Sequence, residues 1–361
     1  MVIRQKKVTG AIWLGTSVLL MTSIISVAGA LSLLIIGLDE QDIWAEQKNI
    51  LEDQAQRNLA EYSARLVHSP SWSIGLPSDL ASSLSNVAHE TIEGVEVDVA
   101  TVTMKHTTGL FTVIHQQDIV RFPLLLNVPP AALILADGLI DDATFTLYLP
   151  PSTAHPTYSY SVWANQPLDM TVENRITCAS LTIDESSCLA SILSQTPWKN
   201  SDIKDADSHL PLDILNYLFG THIDEISYDT LKEITWQRAT SCAAIDPNAR
   251  FLWVEGSCQL SASDAIGSSD EPVILIVENG HILLQDEAKI YGLVVSLQAD
   301  SLFSYQVVTH DNSLIEGSLI LNHQATSNSE IRIKYHYPLL MKLQQMPQLQ
   351  QLALVPGSRK R

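Results

Sequence analysis

Apolar and polar positions divide the chain into an N-terminal helical stretch and a longer region of short strands. Residues 8–38 form one uncharged, mostly apolar run, preceded by Arg4, Lys6 and Lys7, with no acidic residue before Asp39. At about 1.5 Å per helical residue, the run exceeds the ~20 residues needed to cross a bilayer core. Basic residues before it and acidic residues after it predict a cytoplasmic N-terminus with the rest of the chain outside. From Asp39 to His68 there is no Gly or Pro, and Trp44, Leu51, Ala55, Leu59, Tyr62 and Leu66 recur at helical spacings as one stripe. Ser69-Pro70 ends the pattern. The spacing therefore predicts a helical rod over residues 11–68, half transmembrane and half amphipathic. Ala28-Gly29-Ala30 has the small-x-small spacing of a signal-peptidase site, but the apolar run continues to Leu38, past the length of a secretory h-region. A plain membrane anchor is the other reading of the same run.

Beyond the rod the period changes. Val95–Thr103 and Phe111–Ile114 alternate and are rich in β-branched residues, the signature of strands. Ala131–Ala136 is a buried-type run followed by the turn Asp137-Gly138 and a second strand over 143–149. The same order recurs at Phe251–Gly256 with Cys258–Leu260, and at Val273–Gly280 with His281–Leu284. Strand, Gly and strand in this order predict stacked β coils, a repeated β layer or ordinary hairpins, which pattern alone does not separate. Residues 210–240 read as helical, with one piece ending at Phe219-Gly220 and a second near Tyr228–Gln237. The expected class is α+β. A long N-terminal helix precedes a β-rich region over 69–176, a disulfide loop and helical region over 177–250, and a β-rich region over 251–361.

The chain of 361 residues carries a formal net charge of −19. Setting aside the basic residues at its two ends leaves 15 basic against 40 acidic residues, a net of −25. Such a body repels phosphate backbones, so nucleic acid is not an expected partner. The four cysteines lie as local pairs, Cys178 near Cys188 and Cys242 near Cys258. Outside the cytoplasm an even count predicts two small disulfide loops, with the connectivity open. No His falls at metal-ligand spacing, and neither a G-x-S-x-G elbow nor a phosphate-binding loop is present, so no catalytic residue, cofactor or metal is assigned. Asp202, Asp205 and Asp207 crowd one loop but lack the spacing of a calcium loop and read as a solvated acidic loop. Trp163 and Trp253 fit a sugar groove or a packed core, and core packing is expected.

Several segments resemble the PilX-like minor pilins of type IV pilus assembly. They include the basic leader ending in Gly10-Ala11, the strand-Gly turn 131–138, the Ser-x-Trp segment at 161–163 and the strands 251–256 and 272–280. The end resembles the family most specifically, in Ile331–Leu340 followed by Val355-Pro-Gly-Ser358. Arg359 stands where the family has Trp, and Gly15 where most pilins carry Glu. The resemblance implies leader cleavage between Gly10 and Ala11 and a single-pass inner-membrane protein with its body in the periplasm. It also implies a closing strand, a short helix and entry into a pilus or its initiating tip complex. The stripe Trp44, Leu51, Leu59, Tyr62 and Leu66 would then meet other minor pilins or the major pilin, and the body a tip adhesin. The alternatives are a periplasmic binding protein on an uncleaved anchor and, more remotely, an anchored carbohydrate-active enzyme.

Overall fold

The computed structural model describes residues 6–67, 81–84, 87–92, 95–108, 111–140, 142–150, 160–172, 174–179, 188, 202–220, 225–299, 303–310, 312–358 and 360. It is a mixed α and β protein with a β-rich body. The chain divides into two compact units, one of residues 1–87, 100–119 and 354–361, the other of 88–99 and 120–353.

The first unit holds the helix α1, Lys6–Val67, 62 residues without a proline. Its length is about 93 Å at 1.5 Å per residue. With it are β1 (Ala81–Leu84) and the larger parts of β3 (Val95–Thr108) and β4 (Phe111–Pro123). Strand β1 runs antiparallel to β3 from Ala81↔Lys105 to Leu84↔Val102. Ala100, Val102 and Met104 on β3 are buried, as are His115, Gln117 and Ile119 on β4. Alternate residues share a strand face, so each strand turns one side inward. Leu51, Ala55, Leu59 and Tyr62 complete the buried set of this unit. Each large apolar side chain buried in this way contributes about 1.5–3 kcal/mol.

In the second unit, β2 (Ala88–Ile92) lies antiparallel to the start of β3. The remaining strands are β5 (Ala131–Leu135), β6 (Thr144–Leu149), β7 (Tyr160–Ala164), β8 (Arg175–Ala179), β9 (Ile203–Lys204) and β10 (Gln237–Ala239). They continue as β11 (Phe251–Glu255), β12 (Cys258–Leu260), β13 (Ala265–Ile266), β14 (Val273–Glu278) and β15 (Ile282–Leu284). Last come β16 (Lys289–Leu297), β17 (Val307–Thr309), β18 (Leu314–Leu321), β19 (Glu330–Tyr335) and β20 (Gln350–Leu354). Short helices accompany them among the described residues, namely α2 (Ile214–Phe219), α3 (Glu225–Glu233) and α4 (Tyr337–Gln345).

Strands β5 to β19 pair in parallel, so the strand-Gly-strand units are coils of a solenoid and not hairpins. One stack runs β10-β11-β14-β16-β18-β5-β7-β9, and a second runs β12-β15-β17-β19-β6-β8. A third joins β13 to the first residues of β16, and the first residues of β18 to the end of β19. Strands β16 and β18 serve two stacks each because they bend at Gly292 (φ +141°) and Gly317 (φ +143°). A Cβ on Gly317 would lie 1.9 Å from the Gly292 carbonyl oxygen, and one on Gly292 equally close to that of Val273. Only glycine fits a conformation so extended at positive φ with backbone on top of it.

The order of coils is not the order of sequence. The last coil, β18 and β19, stacks on the first, β5 and β6, through Ile320↔Ile134 and Ile331↔Phe145. The chain thus starts winding mid-stack, reaches one end at β9, crosses by α2 and α3, and resumes at the opposite end with β10. Residues 131–204 and 237–335 form one body across the boundaries at 177 and 251. Within it, Val273–Glu278 is buried at all six positions, because both faces of a solenoid wall can be covered. Phe251 and Trp253 meet Phe219 of α2 and Tyr228 of α3. Leu252 and Val254, which alternate with them, point to the interior.

The expected helical region over 210–240 needs one correction. Helix α2 begins after Asp213, whose carboxylate accepts from the Asn216 N–H at 2.9 Å, and stops at Gly220 (φ +67°). Gln237 belongs to strand β10 and not to the second helix, since residues 237–239 pair with β11 at the edge of the stack.

Candidate functional site

Helix α1 has two kinds of surface. Between Leu19 and Leu34 the large apolar side chains are exposed around the whole circumference, from 54 % at Leu31 to 73 % at Leu33. Three of the hydroxyls among them are satisfied within the helix: Thr22 donates to the Leu19 carbonyl, Ser23 to that of Leu20, and Ser26 to that of Thr22. The stretch is about 24 Å long, and among the described residues no helix is long and apolar enough to cross a membrane.

The lower half of α1 is one-sided. Of the stripe read from the sequence, Leu51, Leu59 and Tyr62 are buried within this chain together with Ala55, whereas Trp44 is 41 % exposed. Three of the five residues are therefore covered before any neighbour arrives. Burial also raises the pKa of the Tyr62 phenol. Ile43 and Ile50, seven residues apart on another side of the helix, are half exposed. Gly10 and Ala11 lie within α1, but their side chains and that of Leu66 fall outside the described residues.

The C-terminal Val355-Pro-Gly-Ser358 is a tight turn closed by the Ser358 N–H to the Val355 carbonyl at 3.3 Å. Gly357 sits at φ +76°, the positive φ that the third residue of a type II turn demands. The Ser358 hydroxyl accepts from Gln117 Nε2 at 2.7 Å and from the Asp118 N–H at 3.0 Å, and donates to the Val355 carbonyl at 2.8 Å. Gln116 and Lys360 exchange both backbone bonds at 3.0 Å. The tail is thereby fixed to β4.

The two tryptophans occupy related clusters. Trp253 Nε1 donates to Glu278 at 2.7 Å, and Lys232 meets the same carboxylate at 2.8 Å while lying over the Trp253 and Tyr228 rings. Trp163 Nε1 donates to Asp207 at 2.7 Å, and Lys204 meets that carboxylate at 2.6 Å while lying over Trp163. Both indoles are buried, so neither lines an open groove. Burial and the negative charge of Glu278 push the Tyr228 phenol far up. Beside it, Glu255 is held low chiefly by its hydrogen bond from Arg238. Asp207 is likewise held low, first by Lys204 and then by Trp163.

Of Asp202, Asp205 and Asp207, read as a solvated acidic loop, Asp205 is exposed, while Asp202 and Asp207 are held in contacts within the fold. Asp202 is buried and accepts from the Ser161 hydroxyl, and Asp205 accepts from the Leu168 N–H at 2.9 Å. Among the described residues no three His, Cys, Asp or Glu side chains gather to hold a metal ion.

No sequence pattern marks the pair Ser296 and His323, which lie 27 residues apart. His323 Nδ1 faces the Gln324 carbonyl at 3.0 Å, so Nε2 accepts from the Ser296 hydroxyl at 2.8 Å. Both residues are 1 % exposed, which withholds the hydroxyl from any substrate and makes the pair an internal tie. Burial lowers the His323 pKa.

Two disulfides are present, Cys178–Cys188 and Cys242–Cys258, with Cα atoms 5.2 and 4.7 Å apart. Cys258 opens β12 and Cys178 lies in β8, the two terminal strands of one stack. No protein-family model, curated protein or solved structure matches the chain.

Proposed function

We propose that the protein is a minor pilin-like subunit of type IV pilus assembly, held in the inner membrane by α1 with its β-rich body in the periplasm. The observation that carries this reading is the division of α1. Its apolar half is exposed on all sides, and its lower half is anchored by Leu51, Ala55, Leu59 and Tyr62. Exposed apolar surface of this extent is unfavourable in water and calls for lipid or other helices around it. The apolar run of residues 8–38 is long enough for a bilayer. Intrahelical satisfaction of Thr22, Ser23 and Ser26 suits the same surroundings. A leader-like Gly10-Ala11 junction and the Val-Pro-Gly-Ser tail add the family resemblance.

In this reading assembly is helix packing. Leu59 and Tyr62 hold the rod to its own unit, and the contacts with other minor pilins or the major pilin fall to the exposed apolar half and to Ile43, Trp44 and Ile50. Mass spectrometry of the mature N-terminus is the test. A chain starting at Ala11 and recovered in sheared pili is the expected result. An intact Met1 in membranes without pili overturns it in favour of an anchored binding protein, and a start at Leu31 in favour of a secreted one.

A further inference from the structure

In successive coils the chain passes from the first stack to the second at one corner. His281 lies on this link between β14 and β15, Tyr305 between β16 and β17, and His323 between β18 and β19. The three rings meet in a column across the coils. The Tyr305 centroid is 5.7 Å from that of His281 and 5.7 Å from that of His323, with interplanar angles of 70° and 82°. Tyr305 and His323 are buried, and His281 is half-buried. Asp137, on the corresponding link between β5 and β6, is exposed and is the charge that bears on His323.

Each imidazole accepts a hydrogen bond at one ring nitrogen. His281 Nδ1 takes the Gln306 N–H at 2.9 Å, which ties its link to the next coil. His323 Nε2 takes the Ser296 hydroxyl at 2.8 Å, while Nδ1 donates to the Gln324 carbonyl at 3.0 Å. An imidazolium has only donors. A proton on His281 Nδ1 sets two N–H groups face to face and cancels the tie to Gln306. A proton on His323 places a cation in the interior and deprives the Ser296 hydroxyl of its acceptor. The Gln324 carbonyl and Asp137 favour that cation, and burial outweighs them. Among the described residues no carboxylate pairs with either ring.

We propose that the column of His281, Tyr305 and His323 is an acid-sensitive fastening, which holds three coils together at this corner at neutral pH and releases them as the pH falls. Release frees both rings to bind protons, so by linkage acid favours the open form. Below the ordinary histidine value of about 6.5, each ring that is protonated only on opening raises the open population by up to about tenfold per pH unit. The release is local, and strands such as β14, buried at all six positions, stay closed. This inference stands independently of the membrane reading.

The test is amide hydrogen exchange of the full chain in detergent micelles, read by mass spectrometry on a peptide bearing Gln306 and corrected for the intrinsic effect of pH. From about pH 6.5 to about pH 5.5, exchange there is expected to rise about tenfold or more, with β14 unchanged. In His281→Asn a side-chain oxygen replaces Nδ1 as acceptor without titrating, so the fold is kept at neutral pH. The rise is expected to be smaller in His281→Asn and in His323→Gln, and absent when both are combined. Equal exchange of the wild type at the two pH values, an undiminished rise in the double variant, or a parallel rise in β14 would each overturn the proposal.

Discussion

Trp253 and Trp163 stand in one cross-strand row, joined through Ile276, Val295, Ile320 and Ile134. Each donates its indole N–H to a carboxylate that a lysine also holds, and each meets a tyrosine edge-on, Tyr228 and Tyr217 respectively. The same chemistry recurs at two places on the wall, with the lysine supplied by α3 in one and by β9 in the other. Replacing Trp253 with Phe removes a charge-assisted donor from a buried carboxylate and is expected to cost about 1.5–3 kcal/mol. Trp163→Phe is expected to cost less, about 1 kcal/mol, since each carboxylate keeps its lysine but Asp207 also keeps the His209 N–H. Urea denaturation of both variants checks the ranking.

Gly292→Ala is expected to prevent the coils from stacking, because its Cβ would fall 1.9 Å from the Val273 carbonyl oxygen. No side-chain adjustment relieves a clash with backbone, and a loss of more than about 4 kcal/mol follows. Gly357→Ala has the same sign of φ but no atom within 4 Å of the added Cβ, so its cost is the left-handed backbone alone, about 1 kcal/mol. Circular dichroism and yield of folded protein separate the two cases.

The disulfides close loops with sequence separations of 10 and 16 residues. Loop-closure entropy assigns each about 3 kcal/mol. Cys242→Ser with Cys258→Ser is expected to lower stability by that amount, and to loosen first the end of the solenoid at β12. Hydrogen exchange of β12 compared with β15 measures the second effect.

His323 makes stability depend on pH. Its folded-state pKa lies below the ordinary value, so the unfolded chain binds the proton first. The neutral-ring contribution is complete above about pH 6.5. It declines as the pH falls below that value and levels off once the folded ring protonates. His323→Gln is expected to flatten this part of the profile, read from denaturation midpoints between about pH 7 and pH 5.

On α1, Ile50 is 51 % exposed and Leu59 is 3 % exposed. Ile50→Asp is expected to leave the β-body folded and to remove the protein from sheared pili. Leu59→Asp is expected to unfold the first unit instead, since it places a charge in the interior. Near-ultraviolet circular dichroism with immunoblotting of sheared fibres distinguishes assembly from folding. Wild-type levels of Ile50→Asp in the fibres would remove the packing role assigned to that side of the helix.

Local structure was legible in the sequence wherever one segment determines it. The helix, read over 11–68 and found over 6–67, the strands at 131, 251 and 273 and the glycines that follow them all read from spacing and turn chemistry. Their arrangement did not, because parallel stacking depends on partners far apart. Nothing within Ala131–Leu135 says that its neighbours are Leu319–Leu321 and Tyr160–Ala164. The roles of Trp163, Asp207 and Lys204 were hidden for the same reason, since a carboxylate reads as solvated until its donor is known. Trp44, Leu51 and Leu59 shared one stripe in the pattern, and only the fold separates the residues it covers from the one it leaves exposed.

Because β5 and β19 belong to neighbouring coils, the solenoid begins and ends at adjoining levels in the middle of its stack. A pull applied between residues before Ala131 and after Tyr335 is borne by the β5–β18 and β6–β19 rungs, together with the bonds of Leu124 to Leu349 and of Gln344 to Leu125 beside them. The outer coils, with their disulfides, lie outside the line of force. Under tension the body is therefore expected to part at that single seam, with the terminal coils still wound.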